Sequence, residues 1–400
     1  MKLSRQQIDD INTKLDTVID PAGDARGLPN EFYTDPTLFA FERDQVLANS
    51  WVAVAFASDV PEPGHAIPVE FMGMPLLVLR NKENELRVYH NVCSHRGMLL
   101  VSEQTRLRTV IRCPYHSWSY DLNGQLISTP LIGGAGKNSC DGFANEAHGL
   151  KVVRFAVWMD IVFVNLSGTG QSFDNYIAPL ESRWAPFWGT GGEHKFSPGE
   201  SPGKLDLSVN CNWKLAIENY CEAYHLPWVH PTLNEYSPLD QHFNINDEAS
   251  MAGQGTHQYD LVQTDATKLP TISGWPADRI HHAEYLALYP NTLLGLQADH
   301  AFAVIVIPGN VGTSQERLQI LYTGAALTQA DYAASRDAVL QSWDKVFRED
   351  IFVVEGMQKG RSSPAYNGGV LTPVQDIPTH NFHSWVARQY KSALKSAQFK

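Results

Sequence analysis

Cys93 and His95 stand two positions apart in "NVCSHRG", and Cys113 and His116 stand three apart in "RCPYHSWSYD". The full spacing is Cys-x-His-x17-Cys-x2-His. Each pair follows an apolar run of β character, so two neighbouring loops at one end of a sheet could bring the four donors together. Two thiolates and two imidazoles can close a tetrahedral zinc site. They can also hold a two-iron, two-sulfur cluster, with the thiolates on one iron and the imidazoles on the other. Imidazole is neutral where thiolate is negative, so that ligand set raises the cluster's reduction potential. Ligand types alone admit both readings. Ser94, Gly97, Ser117 and Tyr115 could direct hydrogen bonds toward sulfur, and Arg96 and Trp118 flank the histidine end.

A second set of donors lies in "NWKLAIENYCEAYHLPWVHP", residues 212–231. Read as one helix over 212–226, this stretch puts Glu218, Glu222 and His225 on one face, beside an apolar stripe of Trp213, Ile217, Tyr220 and Tyr224. Pro227 then ends strict helical phase, which frees His230 to return toward His225. Two histidines five apart can be ordinary polar residues; the neighbouring carboxylates and aromatics raise the case for a metal. Two imidazoles and one carboxylate on a ferrous ion leave one face open, as binding of dioxygen beside a substrate requires. "VLQSWDKVFREDIFVVEGMQKG" supplies a candidate carboxylate. Leu340, Trp343, Phe347, Ile351 and Val354 form a helical apolar face, and Asp350 aligns with it. A carboxylate aimed inward needs a cation, a hydrogen-bond network or a metal, and a salt bridge remains the alternative.

The elements that must position these groups follow from the rest of the chain. Four hundred residues fit two domains, or one with another inserted. Residues 1–45 read as an N-terminal helical segment packing on the catalytic domain, interrupted by "DPAGDARGLP". From 46 to 166 the texture is short β runs punctuated by Gly, Pro and Asn, with "DLNG" as a hairpin turn. Residues 167–400 mix helices, near 173–187, 212–226, 328–358 and 380–396, with strands near 284–307 and 316–324. The fold class is α+β, with an all-β domain set into the N-terminal half. A net charge of −12 argues against nucleic acid and anionic membrane as partners. No run of apolar residues is long enough to span a membrane, and the polar N-terminus has no signal-peptide core. Five cysteines do not read as a disulfide framework, so a cytoplasmic location is expected.

"CSHRG" followed by "CPYHSWSYD" resembles the Rieske motif in spacing and flanking residues. The later "NWK…EN…E-x-YH-x4-H" and "ED…E…Q-x-G" resemble the catalytic half of the Rieske non-haem iron oxygenases, the large or α subunit of ring-hydroxylating systems. The likeness runs from about Leu28 to the C-terminus, and "LPNEFYTDPTLFAFERDQVLANSW" and "YPNTLL" fit it too. It implies a Rieske domain set into a catalytic domain of the helix-grip type, an antiparallel sheet with helices. It further implies a [2Fe-2S] cluster on Cys93, His95, Cys113 and His116, and a mononuclear Fe(II) on His225, His230 and Asp350. Asn219 would line the iron site. Glu222 would link the iron to His116 of a neighbouring copy in a homotrimer with inter-subunit electron transfer. Ring-dihydroxylating members commonly place Asp at that link; Glu is found among carnitine and glycine-betaine oxygenase-like members.

The implied activity is that of the terminal oxygenase component. It is fed from NAD(P)H through a separate reductase, with or without a ferredoxin, and it inserts oxygen from O2 into a small molecule. Glu222 and the aromatic residues Tyr220, Trp228, Trp275, Tyr289 and Phe302 suit mono-oxygenation, by hydroxylation or demethylation, of a small polar substrate such as a quaternary ammonium compound held in an aromatic cage. The alternative is a dioxygenase or hydroxylase of an aromatic carboxylate, which needs a pocket cation; Lys214, Lys268, Arg279 and Arg317 are the candidates. A Rieske electron carrier with a silent second half is the alternative from another class.

Overall fold

The apolar runs after Trp51 form short strands. β1 (Val52–Phe56) belongs to a three-stranded sheet that later takes in β9 (Arg154–Trp158) and β10 (Ile161–Asn165). β2 (His65–Phe71), β3 (Met74–Arg80), β4 (Leu86–His90) and β5 (Thr105–Arg106) make a four-stranded sheet. β6 (Val110–Arg112), β7 (Ser119–Asp121) and β8 (Leu126–Ser128) make a third. The "DLNG" turn joins β7 to β8, with Gly124 at φ +83°; a Cβ there would meet the Tyr89 ring at 2.7 Å. Leu77, Leu79, Tyr89, Ile111 and Tyr120 pack a core that includes Cys93 and Cys113.

This computed structural model describes residues 4–21, 23–189, 191–199, 203–247, 249–260 and 266–398. The chain divides into two compact units: residues 54–168, and residues 1–53 together with 169–400.

In the second unit, α1 (Arg5–Ile19) opens with a capping box in which Ser4 and Gln7 satisfy each other's backbone N–H. α2 (Glu31–Thr34) and α3 (Pro36–Phe41) follow, and then α4 (Phe173–Trp188). A seven-stranded sheet has the order β11-β17-β16-β15-β14-β13-β12, every neighbouring pair antiparallel. The strands are β11 (Lys204–Val209), β12 (His242–Asp247), β13 (Met251–Thr256), β14 (Ala283–Leu288), β15 (Thr292–Leu296), β16 (Ala301–Asn310) and β17 (Thr313–Leu321). The stretch expected to hold strands near 284–307 holds three, β14 to β16, separated by turns at "YPN" and "QADH". α5 (Trp213–Tyr220), α6 (Leu226–Val229), α7 (Pro231–Tyr236), α8 (Ala333–Gly360) and α9 (Ile377–Gln398) complete the unit. α9 buries Phe382, Trp385, Val386, Tyr390 and Leu394, with α1 along it and the β12–β13 edge against it. The α+β class thus stands as an antiparallel sheet with helices.

The expected helix over 212–226 ends at Tyr220. The Glu222 carboxylate accepts from the backbone N–H groups of Tyr224 and His225. That local bonding competes with helix continuation, so the chain turns before Pro227 is reached. His225 and His230 then immediately precede α6 and α7, each of which opens with a proline in its first turn.

Candidate metal centres and active site

In the first unit, the two Cys/His loops have matching backbone bonds. Cys93 N–H donates to Met98 O at 2.8 Å and Cys113 N–H to Trp118 O at 2.8 Å. Gly97 (φ +69°) and Ser117 (φ +57°) make the same left-handed turn at equivalent places, a conformation a β-branched residue would resist. Both sulfurs are buried, whereas His95 and His116 are exposed at the tip, their ring centroids 4.8 Å apart. Trp118 stacks on His95 at 4.6 Å and Tyr115 on His116 at 3.7 Å.

Tyr115 therefore braces an imidazole instead of bonding sulfur. The phenol that reaches sulfur is Tyr120, missed in the sequence, whose Oη lies 3.2 Å from Cys93 Sγ and 2.8 Å from Ser94 Oγ. Burial, then the contact with Cys93, pushes the Tyr120 phenol up to about 12, so it keeps its proton and can donate. A buried two-sulfur end and an exposed two-imidazole end suit an asymmetric cluster better than a closed zinc site.

In the second unit, His225, His230 and Asp350 each present a donor atom within 4.8 Å of the others. His230 Nε2 lies 3.0 Å and His225 Nε2 3.7 Å from Asp350 Oδ1. Neighbouring donors on one ion, each about 2.1 Å from it, stand about 3 Å apart, so the set fits a single metal. Behind each imidazole is a second carboxylate: Glu222 Oε1 is 2.6 Å from His225 Nδ1, and Glu349 Oε2 is 2.9 Å from His230 Nδ1. Such outer carboxylates fix the tautomer that turns Nε2 toward a metal. Glu349 was visible in the sequence only as the neighbour of Asp350.

A cavity runs from these donors along α8. Phe347 and Trp343, three and seven residues before Asp350, lie on its helical face, and Tyr220 and Tyr285 face them. Tyr220 donates its hydroxyl to Leu294 O at 2.9 Å, and Asn219 is also in the lining. His242 and Gln254, a hydrogen-bonded pair, form the polar side, and Gln254 Nε2 donates to Glu222 O at 3.1 Å. Burial lowers the His242 pKa, which keeps the ring neutral there.

Four of the five aromatic candidates are elsewhere. Trp228 is 70% exposed. Trp275 packs on Phe187 and donates to Arg279 O, and Tyr289 packs on Phe382 and Trp385 in the α9 core. Phe302 is fully buried behind Trp343, 4.3 Å from its ring. Composition and spacing carry no signal of which strand residues face the cavity.

Glu218 also leaves the metal face. Arg361 Nη2 donates to it at 2.8 Å, Tyr33 Oη at 2.7 Å, and His383 bonds it as well. Burial raises the Glu218 carboxyl, but Arg361 and His383, with the Tyr33 hydrogen bond, outweigh it and hold the group down at about 2. On the other flank, Glu42 accepts from Trp213, Lys214 and Tyr390 at 2.6–2.8 Å, in a fully buried cluster. These two networks tie α5 to the N-terminal segment and to α9, setting the base from which Asn219 and Glu222 project. They also use up Lys214. Arg317 bonds Asp206, and Lys268 and Arg279 are exposed. Among the described residues no Lys or Arg lines the cavity.

Comparison with known proteins fits both halves. The Rieske [2Fe-2S] domain profile matches residues 50–137, and the catalytic-domain profile of the ring-hydroxylating α subunit matches residues 197–392. This chain belongs to the Rieske oxygenase α-subunit family. It is similar to the carnitine monooxygenase oxygenase subunit of Escherichia coli K12, 26% identical and covering 85% of this chain and 86% of that one. It is likewise similar to the glycine betaine monooxygenase oxygenase subunit of Chromohalobacter salexigens (25%, 92% and 86%) and to the chloroplastic choline monooxygenase of Arabidopsis thaliana (26%, 89% and 81%).

Among solved structures, the quaternary ammonium Rieske monooxygenase CntA superimposes with a TM-score of 0.74 at 21% identity, over 95% of this chain and 98% of that one. That structure is described as giving insight into carnitine oxidation and inter-subunit electron transfer. A naphthalene 1,2-dioxygenase from Rhodococcus shares the fold too, with a TM-score of 0.73 at 16% identity, over 98% and 99%. The oxygenase is thus an oxidoreductase with a [2Fe-2S] cluster and a mononuclear iron, using O2 and electrons from a reductase. Among the described residues no helix is long and apolar enough to cross a membrane.

Proposed function

We propose that this oxygenase mono-oxygenates a small cationic substrate of the quaternary ammonium class, by hydroxylation or demethylation. One observation carries the reading: the cavity beside His225, His230 and Asp350 is walled by Tyr220, Tyr285, Trp343 and Phe347, with no Lys or Arg among the described lining residues. Ring faces attract a desolvated cation, whereas an aromatic carboxylate would need a pocket cation that this lining does not offer. The activities named for the carnitine, glycine betaine and choline relatives support the same class.

We assign the [2Fe-2S] cluster to Cys93, His95, Cys113 and His116, and the iron to His225, His230 and Asp350. When bound, these groups supply the electrons and the dioxygen chemistry. The rest is done by the chain. Glu222 and Glu349 hold the Nδ1 protons of His225 and His230, so each Nε2 lone pair is presented toward the metal. Tyr220, with its hydroxyl tied to Leu294 O, offers its ring to the substrate. Leu226, Leu233 and Val346 add apolar surface to the lining, and Asn219 adds a polar contact to it.

Glu222 is also our assignment for the link to His116 of a second copy, in a homotrimer with inter-subunit electron transfer. Two surfaces support it. Met98, Leu99 and Tyr115 are exposed around the imidazole tip in one unit, and Tyr224 and Trp228 are exposed beside Glu222 in the other. Five unpaired cysteines fit a reducing, cytoplasmic setting.

A single-turnover assay tests the substrate class. Chemically reduced, iron-loaded protein is given O2 with choline, carnitine or betaines, or with benzoates and phthalates, and products are read by mass spectrometry. Aldehyde release or a hydroxylated ammonium compound is the expected result; a diol or phenol from an aromatic acid overturns the reading.

A further inference from the structure

Charge is divided unevenly between the two units. Residues 54–168 hold ten basic and ten acidic side chains, so the net −12 of the chain belongs entirely to the other unit, which holds the metal triad. Inside residues 54–168 the balance is uneven again. The stretch 93–119 spans the four assigned cluster ligands and carries Arg96, Arg106, Arg108 and Arg112 against a single acidic residue, Glu103. The cluster-bearing stretch is therefore net positive in an acidic protein. An anionic macromolecule is repelled by the catalytic unit and drawn to this stretch.

Two of these arginines are uncommitted. Arg96 lies over the Tyr115 ring at 5.6 Å, and Arg106 pairs with Glu62 at 2.9 Å. Arg108 and Arg112 are exposed and have no ion-pair partner among the described residues. Arg112 ends β6 and is bonded directly to Cys113. Its sheet supplies an apolar surface beside it. Ile111, Tyr120 and Leu126 are matched in register and face the core around Cys93 and Cys113. The residues that follow Ile111 and Leu126, Arg112 and Ile127, turn the other way, and Ile127 is 50% exposed. Leu131, three residues past β8, is 59% exposed. Asp121, the acidic residue of this sheet, is engaged in the β7–β8 turn, where it accepts from the N–H groups of Asn123 and Gln125. Apolar side chains edged by unpaired arginines make a protein-binding surface, and this one adjoins a cluster ligand.

We propose that the face of β6, β7 and β8 carrying Arg112 and Ile127, with Arg108 in the turn into β6, is where the electron-donating protein docks, and that the donor presents an acidic surface to it. The proposal rests on the link assigned above, in which the imidazole tip meets Glu222 of a second copy; the donor must then approach from another side. Each encounter passes one electron: the donor's reduced centre is oxidised, the cluster is reduced, and no bond forms or breaks. Electrons enter beside Cys113 and leave through His116.

The test is calorimetric titration of oxidised holoenzyme with an oxidised plant-type [2Fe-2S] ferredoxin, an acidic one-electron carrier, so that binding is read without electron transfer. Binding is expected at about 20 mM salt and should weaken about tenfold or more at about 300 mM. Arg108→Glu reverses one exposed charge and should weaken low-salt binding about tenfold, with the visible spectrum of the cluster unchanged. Ile127→Asp should weaken binding at both salt concentrations, and it keeps the proposal testable if the first variant does not fold. With pre-reduced ferredoxin, the rate of cluster reduction should fall by the same factor as the affinity. No binding, binding that salt does not weaken, or an affinity unchanged in the folded variants overturns the proposal. Arg108→Glu shifting the assembly to smaller species in size-exclusion chromatography makes this face a contact between copies, and overturns it as well. An unmodified protein that runs as a monomer, yet loses tenfold in ferredoxin affinity with Arg108→Glu, sinks the link between copies and sustains the docking face.

Discussion

Glu349 is the most direct place to test whether the triad holds iron. Its Oε2 is 2.9 Å from His230 Nδ1, and its side chain is 27% exposed, so Glu349→Gln should leave the fold intact. The amide can present a nitrogen as readily as an oxygen to the imidazole, and even in the favourable orientation it is a weaker acceptor than a carboxylate. The imidazole loses both a fixed tautomer and some basicity. Losing an outer partner of this kind typically costs 10–100-fold in metal affinity, about 1.4–2.7 kcal/mol. Only one of two imidazoles is affected, because His225 keeps Glu222, which places the expectation near the lower end. Lys345, 3.8 Å from Glu349 and exposed, adds little. The measurement is anaerobic competition between apo-protein and a chromophoric chelator for Fe(II), with the visible spectrum of the [2Fe-2S] cluster as the internal standard. Weaker iron binding with an unchanged cluster spectrum is the expected pair of results. Iron affinity equal to the unmodified protein refutes the role given to Glu349, and loss of both signals shows a folding defect that the geometry does not predict.

Three further outcomes follow from the same contacts. Tyr120→Phe removes the hydroxyl 3.2 Å from Cys93 Sγ; that bond favours the more negative reduced cluster, so its potential should fall, on the order of 50 mV, in a redox titration followed by EPR. Glu218→Gln leaves Arg361 and His383 facing a neutral group in a buried site, and should cost about 3 kcal/mol or more in denaturant unfolding. The carboxyl is held low when folded, so its stabilisation is complete above an ordinary carboxyl pKa of 4.5 and is lost as pH falls toward about 2; the variant should lack that part of the acid dependence of its thermal midpoint. Trp228→Glu puts a charge on the exposed aromatic pair with Tyr224, and should shift the assembly toward smaller species in size-exclusion chromatography while iron content stays the same.

What could be read from the sequence divides along a physical line. Cys93, His95, Cys113 and His116 sit on two loops with matching turns, so linear spacing carries nearly all of the geometry that brings the rings to 4.8 Å. His225 and His230 are also local, and Asp350 lay on a helical face whose period was legible. The helical reading failed where side chain and backbone compete. Glu222 took the N–H groups that the next helical turn would have used, and Glu218, one turn earlier, was drawn to Arg361 and His383, more than a hundred residues away in sequence. No pattern of hydrophobicity encodes such a choice. The α+β class was legible because alternation and turn residues report it, yet how the stretch over 284–307 divides into strands was not.

The cavity was the least legible part, and the aromatic residues show why. Tyr220, Trp228, Trp275, Tyr289 and Phe302 are equivalent as composition, but their roles depend on which strand pairs with which and on which side of the sheet each side chain lies. On β14, Glu284 points to Arg183 and Trp184, whereas the next residue, Tyr285, points to the cavity. That single-residue alternation separates a structural ion pair from a ligand contact. Trp343 carries the same lesson on a helix. Its place two turns before Asp350 was predictable, but its partner His300 lies in a strand turn that no helical period reports. Metal chemistry here is written in short motifs that fix their own geometry. Substrate selection is written in the register of a seven-stranded sheet, and a relative could change it by substituting Tyr285 without disturbing any donor that identifies the family.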